Sequence, residues 1–115
     1  MFVVSLLSAL SSSAAAADCA APASIDKVLG DLGNVEAALR TGDDATAGTA
    51  ATVLETDVGC LNEVLPRMIA GRTLRAVGAG LVAGGQQDRG LKWLRTAAEL
   101  EQSYEFGLEE LTASA

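Results

Sequence analysis

Residues 71–104 read GRTLRAVGAGLVAGGQQDRGLKWLRTAAELEQSY, and their spacing decides the fold. Leu74, Val77, Gly78 and Leu81 recur at the three-and-four interval of a helix with one apolar stripe. Gly84-Gly85 interrupts that stripe, and Asp88 stands where it caps a second helix. The second helix carries Leu91, Leu94, Ala97, Ala98 and Leu100 on its inner side, with Trp93 covering the edge. Two amphipathic helices joined by so short a turn form an antiparallel hairpin.

Working towards the N-terminus, the same signals repeat. Pro66 suits a first helical turn, where its missing N–H costs nothing, so the helix through Leu74 reads RMIAGRTLRAVGAGLVA. Earlier, Ser24 is an N-cap, Asp26 complements the helix dipole, and Ile25, Val28, Leu29, Leu32, Val35 and Leu39 keep helical spacing. That helix stops near Arg40, with Gly42 as a left-handed cap, and Asp43 or Asp44 starts another through TAGTAATVLET. Its inward residues are Ala47, Ala50, Ala51 and Leu54, and its Thr and Gly content makes it intrinsically weak. Period-two runs of β-branched and aromatic residues are absent, so strands are not expected. The fold class is all-α, built of antiparallel helical hairpins.

The chain has 115 residues, two Cys, no His and a formal charge of −7. This is one small domain. Without His, His-based catalysis and the usual zinc sites are excluded, and no metal or cofactor is expected. A pI near 4.3 argues against general nucleic-acid binding. Residues 1–17 are uncharged, and the apolar Phe2–Leu10 run passes into small residues ending Ala15-Ala16-Ala17. That is the pattern of a secretory leader, cleaved after Ala17, and it is too short to span a membrane. An exported chain meets an oxidising compartment, so Cys19 and Cys60, its two cysteines, are expected to form a disulfide.

Gly71–Tyr104 is 34 residues long, the tetratricopeptide period, and without a gap it resembles one such repeat. Leu74, Val77-Gly78 and Leu81 stand at that family's large, Leu-Gly and Tyr positions. Gly85-Gln86-Gln87-Asp88 stands at the turn, and Gly90, Leu94 and Ala97 at the small, large and small positions of the second helix. Gly90 for Ala and Gln102 for Pro depart from the pattern and imply a looser helix start and a less sharply set repeat end. Residues 24–57, with Gly42-Asp43-Asp44, Ala47 and Leu54, resemble a degenerate first repeat. The resemblance implies a right-handed α-solenoid fragment of about two repeats in residues 18–115, with a four-helix bundle as the alternative.

It also implies a function: a non-catalytic protein-interaction or scaffolding module of a bacterial periplasm or cell envelope, or a secreted one, without enzymatic activity. Arg72, Arg75, Ala79 and Val82 stand where the family lines its concave groove, which implies a protein or peptide partner, acidic where the arginines meet it. Between Arg67 and Arg95 lie six basic residues and one acid, against nine acids and two bases between Asp18 and Glu63. The family's carboxylate clamp also uses an Asn where this chain has Ala79, so that specific clamp is not implied. The alternative function is a self-associating structural domain, the N-terminal part of a larger envelope protein. Gly78-Ala79-Gly80-Leu81-Val82-Ala83 matches a dinucleotide fingerprint, but that motif opens a helix after a strand. Here a helix runs through it, and close helix–helix contact accounts for the glycines. Asp43-Asp44 reads as a cap and Glu109-Glu110 as surface rather than acid–base catalysts.

Overall fold

A computed structural model describes residues 19–114, with side chains as far as residue 102. The expected leader, residues 1–17, lies outside the described residues. Among the described residues four helices follow one another: α1 (Ile25–Thr41), α2 (Asp44–Gly59), α3 (Arg67–Ala83) and α4 (Gln87–Ser114). Among the described residues there is no strand, only an isolated parallel bridge between Ala23 and Leu61.

Local chemistry sets most boundaries. The Ser24 hydroxyl accepts from Lys27 N–H at 3.1 Å, so α1 starts there. Gly42 ends α1 at φ 73°, its N–H donating to the carbonyls of Ala38 and Leu39. Asp43 immediately caps α2 by accepting from the N–H and hydroxyl of Thr46, which hold its carboxyl below the usual range. Gly85, at φ 92°, turns the chain from α3 into α4. Two starts differ from the sequence expectation. Pro66 is the N-cap of α3 rather than part of its first turn, and its carbonyl accepts from Ala70 N–H. Asp88 lies inside the first turn of α4, because the Gln86 carbonyl already accepts the first helical bond, from Gly90. Asp88 therefore complements the helix dipole instead of capping it.

The helices pair as hairpins, α1 with α2 and α3 with α4. α3 packs additionally on both α2 and α1, whereas α1 and α4 share no packed interface. The two hairpins are stacked with α3 at the centre. Val28, Leu32 and Val35 from α1, Ala51 and Leu54 from α2, and Ala76, Val77 and Leu81 from α3 form the buried core, with Trp93 of α4 packed on it. Three residues of the expected apolar stripes are exposed instead of buried. Leu29 and Leu91 are 39% and 44% exposed, and Ala98 is exposed as well. Among the described residues no further helix packs on the outer side of α1 or α4, so each buries a narrower stripe than its apolar positions allow. In α1 the fourth buried position is Ala38.

Glycine is what permits the α3 contacts. A Cβ on Gly78 would stand 2.8 Å from the Gly90 carbonyl of α4, and one on Gly90 would stand 2.6 Å from the Gly78 carbonyl. Gly90 is thus not a loose start to α4; the helices are closer there than alanine permits. Gly80 turns the other way, towards Ala47 and Ala51 of α2. The dinucleotide-like run is a helix using alternate glycines against two different neighbours.

Candidate functional site

The arginines expected to face a partner are placed by α3. Arg72, Arg75, Ala76 and Ala79 line one side of an open groove of about 310 Å³, and Glu36 and Leu39 of α1 line the other. Spacing of three and four along α3 puts Arg72, Arg75, Ala76 and Ala79 on one face. Small residues keep the floor low, and α1 and α3 form the walls. Val82, the fourth expected groove residue, is not in it: its side chain packs against the start of α4, where it would meet a Cβ on Gly90 at 2.6 Å. At its position the α3 surface has already turned from α1 towards α4.

Sequence reasoning missed the groove's central contact. Arg72 Nε donates to Glu36 Oε2 at 2.7 Å and Nη2 donates to Oε1 at 2.5 Å, a two-pronged pair across the hairpin interface. These bonds hold the Glu36 carboxyl below its usual range, with smaller help from Arg40 and Arg75. Arg75 stands 3.1 Å from Glu101 of α4, an ion contact in which Glu101 Oε1 accepts no hydrogen bond. Both groove arginines remain more than half exposed. No local spacing announces the Glu36 pair, because its partners are 36 residues apart.

Two other polar clusters brace the stack. Glu55 of α2 accepts from Trp93 Nε1 at 2.6 Å and lies 3.3 Å from Arg89 Nε, joining α2 to α4. Asp57, only 6% exposed, meets Lys27 at 3.4 Å, and Lys27 also holds Asp31. Sequence reasoning stopped this helix before Asp57; the signal that would have placed it is its helical spacing after Ala47, Ala51 and Leu54. Burial, reinforced by the neighbouring Asp31 carboxylate, pushes Asp57 up to about 6 against the pull of Lys27. Burial would raise Asp31 too, but hydrogen bonds from protonated Asp57 and from Lys27 outweigh it and hold Asp31 low.

This makes a prediction with a definite sign. Unfolded aspartates release their proton near 4, whereas folded Asp57 keeps it to about 6. Between these values the folded chain binds more protons, so stability falls as pH rises through the folded value. Asp31, Glu36 and Asp43, all lowered, act oppositely and lose their contribution as pH falls below about 4. Urea midpoints should therefore be higher at pH 5 than at pH 7.5. Asp57→Asn should remove that difference and add roughly 1–3 kcal/mol at pH 7.5. Equal wild-type midpoints at the two pH values would refute the assignment.

The disulfide between Cys19 and Cys60 is formed, and it fastens the segment before α1 to the end of α2. Ala23 N–H donates to the Cys60 carbonyl, and Ile25 N–H to the Glu63 carboxylate, both at 2.9 Å. Among the described residues, no helix is long and apolar enough to cross a membrane, and no three His, Cys, Asp or Glu side chains cluster to hold a metal ion. Comparison of the chain with protein-family models, curated proteins and solved structures finds no match.

Proposed function

We propose that this chain is a non-catalytic, tetratricopeptide-like protein-interaction module that acts outside the cytoplasm, in a bacterial cell envelope. The observation that carries the reading is the α1–α3 groove, with a low alanine floor, charged walls and two exposed guanidinium groups. Stacked hairpins whose first and last helices share no extensive interface among the described residues leave such a surface open, as a repeat array does. The disulfide supports export, since such bonds persist in oxidising compartments. A partner segment would lie along α3, with its apolar atoms over Ala76 and Ala79 and its polar groups on the arginines.

Reversing the charge of Arg72 alone would be a poor test, because a carboxylate at position 72 would face Glu36 and destabilise the stack. The exchange Glu36→Arg with Arg72→Glu keeps an ion pair but inverts its orientation in the groove. A photo-crosslinking residue at position 79 should then join a partner in the wild-type background and lose that product in the exchanged one. The same crosslinker at position 98, on the exposed face of α4, should give no such product. Thermal melts of the exchanged protein should stay within a few degrees of wild type. An undiminished position-79 product in the exchanged background would sink the groove reading.

A further inference from the structure

Both arginines that line the groove are already engaged within the chain. Arg72 grips Glu36 with two parallel hydrogen bonds, the geometry with which a guanidinium grips any carboxylate. Arg40 and Arg75 bear on the same carboxylate through their charge. Arg75 contacts Glu101 without an aligned hydrogen bond, so its donors are the more readily redirected. Glu36 thus occupies the position in which the Arg72 guanidinium would receive an acidic side chain from outside, with Arg40 and Arg75 adding only their charge.

Resting on the groove reading, we propose that the groove takes an acidic peptide segment and that Glu36 is its built-in competitor, which an incoming carboxylate must displace from Arg72. The complementarity is local: Arg72 and Arg75 line the groove with Glu36, and Arg75 also meets Glu101, so removing Glu36 from the arginines leaves a cationic surface on a chain that is acidic overall. The competitor is present throughout the neutral range, because Arg72 keeps Glu36 ionised well below its ordinary value. Release therefore comes by displacement, not by a change of pH near neutrality. A half-exposed ion pair is a weak lock, so the competitor lowers affinity without closing the site. It also raises selectivity: a neutral segment has nothing with which to replace the two bonds Arg72 would lose.

The test is a titration of the oxidised, ¹⁵N-labelled full chain with hexaglutamate, with hexaglutamine as control, followed by amide shifts and the Arg72 Nε–Hε signal. Hexaglutamate should move the signals of residues 72, 75 and 79. Glu36→Gln should tighten binding about three- to tenfold, the range a surface ion pair can supply. Arg72→Gln should abolish that gain, and Glu36→Ala, which leaves no hydrogen-bonding group, should tighten binding at least as much as Glu36→Gln. Hexaglutamate shifts confined to the groove but equal in wild type and both Glu36 variants would overturn the competitor and leave the groove standing. Equal binding of hexaglutamine would overturn the acidic class in the same way. No groove shifts in any variant would overturn the groove reading itself.

Discussion

Gly80→Ala should destabilise the chain by about 1–3 kcal/mol, and Gly30→Ala should stabilise it by about 0.5–1 kcal/mol. Both residues lie inside α-helices, so both substitutions gain the same helix propensity. What separates them is the neighbouring backbone. A Cβ on Gly80 would stand 2.6 Å from the Ala51 side chain, 2.9 Å from the Ala47 carbonyl and 3.0 Å from Val35. The carbonyl belongs to α2 and cannot move alone, so relief requires α2 and α3 to separate. Separation would loosen Leu54, Val77 and Leu81, all fully buried. Gly30 would meet nothing within 4 Å, so there only the entropy and propensity gain remains. Urea midpoints of the two variants on opposite sides of wild type are the expected result. A Gly80→Ala protein as stable as wild type would show that α2 and α3 are not in such close contact.

The same contrast explains what could be read before the fold was known. Periodicity and capping residues are local, so Ser24, Gly42, Asp43 and the end of α3 follow from a few neighbouring positions. That glycines inside α3 serve close packing was also legible; which helix each one meets was not. Gly78 and Gly80 are two positions apart and face α4 and α2 respectively. Leu29 and Leu91 were misplaced for the same reason: a local apolar stripe gives a direction, but the width actually buried depends on how many helices stand beside it. In the groove, Arg72, Arg75 and Ala79 share one face as helical spacing requires. Glu36 could not be found that way, since its link to Arg72 crosses the stack, and Val82 was carried by a resemblance past the point where α3 turns towards α4.

Replacing both cysteines by serine should cost about 3–4 kcal/mol, since the bond closes a loop with a sequence separation of 41. For a domain of this size that is a large share of roughly 5–12 kcal/mol of total stability, and the melting temperature should fall on the order of 15 °C. The loss should be large here for a structural reason as well. α1 belongs to the core through Val28, Leu32 and Val35, and the helices it packs on extensively are α2 and α3. Its N-terminal end is anchored by the disulfide, by Ala23 on Cys60 and by Ile25 on Glu63, all within a few residues of one another. Cutting the covalent link leaves the Ala23 hydrogen bond to hold the segment before Ser24 and the Ile25 one to hold the start of α1, so fraying should enter α1 from that end. Hydrogen exchange should then rise first at residues 25–32 of the reduced chain, with the α3–α4 hairpin protected longest. Protein isolated without reductant should weigh two hydrogens less than its reduced form and bind no alkylating agent. If the double-serine variant unfolded at the wild-type midpoint, the core and caps would suffice to hold α1 in place. The bond would then constrain the N-terminal segment without stabilising the stack.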